Sequence, residues 1–448
     1  MTVRTERSER TLPARAVLAT GAVRAGNGLS RLLGRGSGTV VGGRAGLLVD
    51  PALLETLAEG RSVVLVTGTN GKTTVTRMLV AALEGATGET VATNETGANM
   101  PAGHVAALVT APRAAVAVLE VDESYLGRLL EAAAPEVVVL LNLSRDQLDR
   151  IAEVRMLAER WRAALAPERP GAPRRDPVVV ANADDPMVVF AARSASRVRW
   201  VGAGQVWRDD AVGCPACGGE IEFAQGDKWT CDRCDFARPE PEAWLEGEEL
   251  VLAGGGRYRL ELGVPGQFNR ANAAMAAIAA RSLLEGARRS DDRAASSGLP
   301  AGLEAVLSPI ASVAEVAGRF SVGRRKGQPV RLLLAKNPAG WTAVFDLLDE
   351  EPVGQGPLVV AINARTADGF DPSWLWDVPF ERLAGYRVVA TADRRLDLAV
   401  RLRYAEVDHV VVADPLDALD TAISRAQGAE PVQFLGNYTA FAELRRRL

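Results

Sequence analysis

The chain has 448 residues, a net charge of −4 and a pI of about 5.6. This length exceeds one compact core and predicts two or three domains. The acidic balance argues against a nucleic-acid partner, and no apolar run approaches the ~20 residues of a membrane span. Since the N-terminus lacks a long apolar stretch and a cleavage site, we expect a cytoplasmic protein.

Apolar runs alternate with helical patterns along the first two thirds of the chain. Residues 1–55 are predicted to form a short N-terminal segment with a helix at 15–33, and residues 56–305 a nucleotide-binding domain. Strands are predicted there at 63–66, 115–120, 137–141, 177–181 and 197–201. The alternation indicates an α/β fold with a mostly parallel sheet, whose functional residues follow the carboxyl ends of the strands.

The segment SVVLVTGTNGKTTV, residues 62–75, joins a strand pattern to a helical pattern through a glycine-rich turn. The backbone N–H groups of such a turn suit a phosphate, and Gly68 and Gly71 allow close approach. Lys72 supplies a cation for the β- and γ-phosphates, and Thr73 a hydroxyl for Mg²⁺. The predicted nucleotide-binding residues here are Gly68, Thr69, Asn70, Gly71, Lys72, Thr73 and Thr74.

Glu120 ends a predicted buried strand, where an acidic side chain needs a partner. We expect Mg²⁺, held jointly with Thr73 and the nucleotide, to be that partner. A solvated start of a loop is the alternative. Asp122 and Glu123 follow as weaker candidates.

The chain has two histidines, and each stands alone in the sequence. His409 precedes an apolar strand pattern and is predicted to be structural. His104 is predicted to be a surface residue or a loop residue with satisfied hydrogen bonds. Neither lies in a motif with a free cysteine, so we predict no catalytic role for either.

The four cysteines form two Cys-x-x-Cys pairs in an insertion at about 207–245. The predicted zinc ligands are Cys214, Cys217, Cys231 and Cys234. This spacing is typical of a tetrahedral site with four thiolates, and disulfides are disfavoured in a reducing compartment. Such a site has no open coordination position, so the zinc is predicted to be structural.

Residues 306–448 are predicted to form a smaller C-terminal α/β domain. Its strands are predicted at 331–334, 358–362, 386–390, 407–412 and 431–435. Three acids, Asp368, Asp371 and Asp377, crowd the loop at 363–377 together with two tryptophans. Acids in such a loop can also cap the next helix, and paired tryptophans more often anchor a core or an interface.

These motifs together resemble the Mur ligases, a family of ATP-dependent acid–amine ligases. The shared motifs are TGTNGKTT (67–74), the strand-end Glu120, NLSRDQLDR (142–150), NADDP (182–186), the helix start at 266–272 and AGRF (317–320). Further marks narrow the resemblance to a branch that works with a glutaminase subunit. They are the four-cysteine insertion, TGANM (96–100), KNPAG (336–340), ADGFDPSWLWD (367–377) and GNYTA (436–440).

The resemblance implies a central P-loop ATPase domain with an inserted zinc ribbon, followed by a smaller α/β domain. It implies a heterodimer with a glutaminase, GatD, that uses ATP and Mg²⁺. The pair would amidate the α-carboxyl of D-glutamate in the stem peptide of lipid II, through an acyl phosphate and with ammonia from glutamine. Contact with a membrane would be peripheral at most, through the lipid-linked substrate.

The resemblance also implies roles for individual residues. Lys72 and Thr73 would hold phosphate and Mg²⁺, and Glu120 would hold Mg²⁺. Asn272 would lie near the nucleotide base and Arg319 near the phosphates.

An aspartate of the C-terminal domain would complete the Cys–His pair of the glutaminase. Asp368 is the first choice, and Asp371 and Asp377 remain open.

Two departures from ordinary Mur ligases stand out. Gln147 occupies the position of a histidine that is an expected Mg²⁺ ligand. No lysine lies between Lys72 and Lys228, which excludes a carbamylated lysine in the central domain. Both losses fit ammonia, rather than an amino acid, as the acceptor.

The sequence leaves two alternative functions. A stand-alone ligase of the Mur or folylpolyglutamate type would couple a free amino acid without a partner, and the missing lysine and histidine argue against it. A nucleotide-binding scaffold with a nucleic-acid-docking ribbon is disfavoured by the acidic charge balance.

Overall fold

Two sheets, each covered by helices on both faces, organise the chain. In this computed structural model the described residues are 12–32, 39–94, 97–145, 154–167, 176–204, 207–224, 228–290, 302–313, 320–350, 356–426 and 431–448. Three helices precede the first sheet: α1 (Ala14–Leu32), α2 (Thr39–Val49) and α3 (Leu53–Ala58). None of the helices in these ranges is both long enough and apolar enough to cross a bilayer.

The first sheet has nine strands. Its parallel part contains β1 (Ser62–Thr67), β2 (Val91–Thr93), β3 (Val116–Glu120), β4 (Val137–Leu140), β5 (Val178–Asn182) and β6 (Val198–Gly202). A separate hairpin then forms from β7 (Ile221–Phe223) and β8 (Trp229–Cys231). The sheet is completed by β9 (Ala243–Glu246), β10 (Glu249–Leu252) and β11 (Arg257–Arg259). The strand order is β11-β10-β9-β6-β5-β4-β1-β3-β2.

Seven helices accompany this sheet. They are α4 (Lys72–Thr87), α5 (Pro101–Thr110), α6 (Leu126–Ala133), α7 (Val154–Leu165), α8 (Pro186–Ala192), α9 (Gln267–Ser290) and α10 (Glu304–Ala311). Helices α4, α9 and α10 share the hydrophobic core on one face, and α5–α8 share the core on the other face with α1 and α3. The central strands are runs of valine and leucine because a parallel sheet covered on both faces buries both sides of each strand.

The second sheet has six strands. Its elements in chain order are β12 (Phe320–Arg325), β13 (Gln328–Leu334), α11 (Pro338–Glu350), β14 (Pro357–Ala361), β15 (Arg387–Thr391), α12 (Arg395–Tyr404), β16 (His409–Val411), α13 (Pro415–Ser424), β17 (Val432–Gly436) and α14 (Tyr438–Arg447). The strand order is β12-β13-β17-β14-β15-β16, parallel except for β12.

The fold class and all ten predicted strands are confirmed, each by an overlapping strand. The strands β2, β12 and β9–β11, which are short or lie at sheet edges, were not predicted from the sequence. Helix α2 was not predicted either, since its sequence is rich in glycine. Glycine is a poor helix former. The glycines of α2 serve close packing instead, because a Cβ at Gly43 would lie 1.8 Å from the carbonyl oxygen of Ala102. The domain boundaries at 55 and 305 remain predictions.

Candidate active site

The glycine-rich turn lies between the carboxyl end of β1 and the first turn of α4. Gly71 precedes α4 with a φ of +89°, a left-handed conformation that favours glycine. A Cβ at Gly71 would also lie 2.5 Å from Oδ1 of Asn272, on α9. The turn is fastened to the strand beside it, since Asn70 N–H donates to Oδ1 of Asn142 at 2.9 Å. The loop is therefore rigid, and it begins the helix whose N-terminus would face a phosphate.

Lys72 lies inside this turn and is only 4% exposed. Its ammonium donates to the carbonyl oxygens of Gly68 at 2.5 Å and Thr69 at 3.3 Å. It also pairs with Oε1 of Glu123 at 3.1 Å. Trp161 Nε1 donates to the carbonyl oxygen of Glu123 at 2.9 Å and thereby fixes its backbone. Glu123 was a weak candidate in the sequence, and nothing there marked it as the partner of Lys72.

Thr73 and Glu120 meet where α4 begins and β3 ends. The hydroxyl of Thr73 donates to Oε2 of Glu120 at 2.8 Å, and Glu120 is 4% exposed. The two sequence-predicted Mg²⁺ ligands are therefore neighbours. A hydroxyl and a carboxylate are hard oxygen donors, and this pair suits a magnesium ion that also binds nucleotide phosphates.

The backbone of Glu120 is held by two buried side chains. Its N–H donates to Oδ1 of Asn94 at 2.8 Å, and its carbonyl oxygen accepts from Nδ2 of Asn94 at 2.9 Å. The same carbonyl lies 2.7 Å from Nε2 of His104. Since β2 ends at Thr93, the Asn94 side chain continues the edge of the sheet where the strand has stopped.

The prediction that His104 is a surface or loop residue was wrong. His104 lies in α5 and is fully buried, because α5 packs against the sheet with almost all of its residues. Burial lowers the pKa of His104 to about 4, although the bond to Glu120 opposes this shift. The imidazole is therefore neutral at pH 7 and donates Nε2–H to Glu120. Its Nδ1 has no hydrogen-bond partner in the described part of the chain.

A cavity of about 330 Å³ opens beside the glycine-rich turn, between the two sheets. The first sheet contributes Asn70, Gly71 and Asn272 to its wall, and the second contributes Lys336 and Gly340. Its lining is mostly apolar with a few polar groups, which is typical of a small-molecule site. The predicted placement of Asn272 near a nucleotide base is compatible with this cavity.

An amide pair joins the two sheets at the cavity. Asn70 and Asn337 exchange side-chain hydrogen bonds at 3.3 Å, and Asn337 is fully buried. Asn337 also accepts from the N–H of Gly340 at 2.9 Å, at the first turn of α11. The motif KNPAG therefore reaches the phosphate loop, a contact across 267 residues that the sequence did not reveal.

Two consecutive aspartates support the far side of the cavity. Asp185 is fully buried and caps α8 by accepting from the N–H of Met187 at 2.9 Å and of Val188 at 3.2 Å. It also accepts from the N–H of Leu143 at 2.8 Å. Burial raises the pKa of Asp185 to about 6, although these three donors favour the ionised form. Asp184 instead pairs with Arg238 at 2.5 Å.

The four cysteines converge as predicted. Their sulfur atoms lie within 4.8 Å of one another, with Cys214–Cys234 at 3.8 Å and Cys217–Cys231 at 3.5 Å, and no disulfide joins them. Four sulfurs about 2.3 Å from one ion would be about 3.8 Å apart. In addition, Cys217 and Cys231 each accept a backbone N–H at 3.4 Å from the residue two positions later. The bond from Gly219 lowers the pKa of Cys217 to about 7, which favours its thiolate. The site fits zinc.

The cysteine hairpin, which contains β7 and β8, packs on the first sheet through aromatic residues. Trp229 is 1% exposed, its ring lies 5.0 Å from that of Phe236, and its Nε1 donates to the carbonyl oxygen of Ala183 at 3.2 Å. Ala183 lies between β5 and the paired aspartates. The hairpin therefore supports the cavity wall without facing the phosphate loop.

The three candidate aspartates of the C-terminal domain have different surroundings. Asp368 is 7% exposed, and its carboxylate accepts from the N–H of Thr439 at 2.9 Å and from the Thr439 hydroxyl. Asp371 is exposed and accepts from the N–H of Ser373 at 2.8 Å. Asp377 is exposed and lies 3.4 Å from Arg145 of the first sheet.

Two predicted positions lie outside the described residues: Arg319, and Gln147 in the motif NLSRDQLDR. One tryptophan of the 363–377 loop lies in the core and the other lies at the surface. Trp374 is buried in the core against Trp341, with ring centroids 6.4 Å apart. Trp376 is 55% exposed and contacts Tyr404.

Comparison with known proteins agrees with this geometry. Residues 66–280 match the Mur ligase middle domain, and residues 334–441 match the MurT ligase C-terminal domain. The chain has the Mur ligase fold, and relatives that span most of its length are named as MurT subunits. It is therefore an ATP-dependent ligase.

The relatives extend over nearly the whole chain. It is 26% identical to the Staphylococcus aureus protein named lipid II isoglutaminyl synthase (glutamine-hydrolyzing) subunit MurT, over 86% of this chain and 87% of the relative. It is 28% identical to the Streptococcus pneumoniae protein of the same name, over 94% of each.

Solved structures share the fold. A pseudomurein peptide ligase type C from Methanothermus fervidus matches with a TM-score of 0.58 and 21% identity, covering 87% of this chain and 79% of that one. A Mycobacterium tuberculosis folylpolyglutamate synthase complexed with ADP matches with a TM-score of 0.57 and 17% identity, covering 97% and 98%.

Proposed function

We propose that this chain is the ligase subunit of a glutamine-dependent lipid II isoglutaminyl synthase and acts in the cytoplasm in peptidoglycan synthesis. It would amidate the α-carboxyl of D-glutamate in the lipid II stem peptide to D-isoglutamine. The observation that carries the proposal is the Thr73–Glu120 pair beside Lys72, in a chain whose full-length relatives are named for this reaction.

The proposed reaction has two steps. A carboxylate oxygen of the substrate attacks the γ-phosphorus of ATP, and ADP leaves. Ammonia then attacks the carbonyl carbon of the acyl phosphate, and phosphate and a proton leave. Lys72 and the N–H groups of the turn would bind the phosphates, and Thr73 and Glu120 would hold Mg²⁺, which neutralises phosphate charge when bound.

Arg319 is proposed to lie near the phosphates, and Asn272 near the base in the 330 Å³ cavity. The amide pair Asn70–Asn337 would then connect nucleotide binding to the position of the C-terminal domain. The residues Gly68, Thr69, Asn70, Gly71 and Thr74 complete the proposed phosphate loop.

The ammonia has to come from elsewhere. Hydrolysis of glutamine usually requires a cysteine nucleophile with a histidine base. All four cysteines of this chain converge on the zinc site, and His104 is buried at the end of β3. We propose a GatD-like glutaminase subunit as the partner, with an aspartate of the 363–377 loop orienting the histidine of that partner.

The decisive test measures isoglutamine formation and ADP release from purified chain, partner, lipid II, ATP and glutamine. We expect amidation only with both subunits, or with this chain alone at high ammonium concentration. Glutaminase activity of the isolated chain would contradict the two-subunit arrangement. Coupling of a free amino acid without the partner would instead favour the stand-alone ligase.

A further inference from the structure

The solvent-facing side of helix α1 is apolar. Leu18, Leu29 and Leu32 are 69%, 59% and 86% exposed. At 100° per residue these three side chains lie within about 60° of one another around the helix axis. The other exposed residues within about 60° of Leu18 are Ala14, Arg15, Gly21 and Ala25. The opposite side is buried and carries polar residues such as Asn27 beside apolar ones, so the exposed leucines form the apolar surface of α1 that is open to a second apolar surface.

Helix α2 packs closely against α1 and also exposes large apolar side chains. Val41 and Leu48 are 57% and 84% exposed. The two helices pack through glycine, because a Cβ at Gly42 would lie 2.1 Å from Oδ1 of Asn27 and 2.4 Å from the carbonyl oxygen of Val23. We call the exposed residues Leu18, Leu29, Leu32, Val41 and Leu48 the N-terminal apolar face.

The charge of this region is uniform. The sequence from Arg10 to Val49 contains six arginines and no acidic residue, although the whole chain has a net charge of −4. Arg15, Arg24 and Arg44 are exposed on α1 and α2. Apolar residues bordered by arginines are the composition of helices that lie in the interface of anionic membranes.

The face is also connected to the proposed active site. Helix α2 packs on the start of α5, where a Cβ at Gly43 would lie 1.8 Å from the carbonyl oxygen of Ala102. Met100, just before α5, is 45% exposed. The carbonyl oxygen of the neighbouring Asn99 accepts from the N–H of Asp122 at 3.0 Å, two residues beyond Glu120. These contacts link α2 to the segment that follows the proposed magnesium ligand Glu120.

We propose that the N-terminal apolar face docks the protein on the surface of an anionic lipid bilayer. This inference rests on the proposed function in one respect: a lipid-linked substrate gives the docking its purpose. Leucines would enter the boundary between headgroups and acyl chains, and the arginines would bind anionic headgroups. In this proposal the protein itself binds the bilayer, and it does not reach the membrane only through the lipid-linked substrate.

The test uses the full chain and vesicles that contain no lipid II. We expect cosedimentation with vesicles of phosphatidylglycerol and phosphatidylcholine, weaker binding to phosphatidylcholine alone, and loss of binding as salt rises. Leu18→Gln/Leu29→Gln should lower the partition coefficient about tenfold. Arg24→Gln/Arg44→Gln should lower it about fivefold per arginine on anionic vesicles only. Leu396→Gln, at a leucine 64% exposed on α12, is the matched control and should bind normally.

Absence of vesicle binding, or equal binding by the leucine variant, would overturn the proposal. So would a leucine variant that binds vesicles normally but no longer associates with the glutaminase, because the face would then dock a protein. Amidation of detergent-solubilised lipid II is measured separately. A chain that amidates this substrate but ignores vesicles refutes only the docking, and a chain that binds vesicles but never amidates refutes only the proposed function.

Discussion

The carboxyl edges of the two sheets are built from different chemistry. At the first edge, an ion pair and a hydroxyl–carboxylate bond join two segments: Lys72 pairs with Glu123, and Thr73 with Glu120. At the second edge, neutral amides join two loops, since Asn363 donates its N–H to Oδ1 of Asn437 at 3.0 Å and accepts from Nδ2 of Asn437 at 2.6 Å. The first edge concentrates charge beside a cavity, whereas the second fixes the backbone of a loop whose exposed acids face outward.

The largest expected effect comes from the charged edge. Lys72→Met should reduce ATP-dependent amidation by at least about 100-fold, because a charge that stabilises the transferring phosphoryl group is lost. Both the glutamine-driven and the ammonium-driven reactions should fall. Product formation and ADP release are the measurements.

Lys326→Ala is the control, since Lys326 is an exposed lysine paired with Asp420 in the other domain. Lys72→Met leaves the carboxylate of Glu123 unpaired, and this could destabilise the fold. The double variant Lys72→Met/Glu123→Gln removes that carboxylate, so a loss of activity that persists in it is not due to misfolding. Undiminished amidation in folded Lys72→Met would remove Lys72 from the phosphate site.

Substitutions at the second edge should affect the reaction driven by glutamine and not the reaction driven by ammonium. Asp368→Asn and Asp371→Asn are each assayed with glutamine and with ammonium as the nitrogen source. One carboxylate orients the partner's histidine, so we expect Asp368→Asn to lose most of the glutamine-dependent reaction and to keep near-normal ammonium-dependent amidation. If Asp368→Asn keeps both activities, Asp371 or Asp377 has this role. Loss of both activities would assign the residue to the ligase site or to folding.

The different burial of Asp368 and Asp371 predicts a second difference between their variants, in association with the glutaminase. Asp368 binds Thr439 and is 7% exposed, so Asp368→Asn should also weaken association with the glutaminase by loosening the loop. Asp371 is exposed, and its variant should associate normally. Asp377→Asn reports on the third candidate, whose contact with Arg145 makes it a test of domain orientation. Association is measured by titration calorimetry.

The cysteine hairpin should affect stability more than chemistry. We expect one zinc per chain by atomic absorption. Cys231→Ser should lose the metal and several kcal/mol of stability, while amidation at low temperature persists, because a closed site holds structure. Thr230→Ser on the same strand is the control. A chain purified without zinc, or one that loses activity and metal in parallel at full stability, would contradict a structural site.

What could be predicted from the sequence was mainly local. The turn at Gly68–Gly71, the Cys-x-x-Cys pairs and the valine-rich strands each carry their pattern within a few residues. Contacts made by distant segments were not predictable, such as Asn70 with Asn337 or Lys72 with Glu123. His104 was misjudged because a lone histidine in an alanine-rich stretch gives no indication that the helix will be buried on all sides.

The smallest expected effect concerns His104, which acts on Glu120 only through the backbone. Its pKa is lowered to about 4 in the folded protein and is about 6.5 when unfolded. Below pH 6.5 the unfolded chain therefore binds a proton that the folded chain does not, so this residue's contribution to stability falls as the pH drops from about 6.5 to about 4. The full change is up to about 3 kcal/mol. Asp185 has the opposite slope, because its raised pKa favours the folded state at low pH.

His104→Gln isolates the histidine, since Asp185 is common to both proteins. We expect the difference in unfolding free energy between wild type and His104→Gln, measured in urea, to change steadily between pH 4.5 and 7 and to level off above pH 7. Glutamine can still donate to the Glu120 carbonyl, so amidation at pH 7.5 should stay within a few-fold of wild type, whereas His104→Phe should raise the Mg²⁺ requirement. A pH-independent difference would mean that His104 titrates alike in the folded and the unfolded chain, which would contradict its lowered pKa. The positioning role would then have to be carried by Asn94 alone.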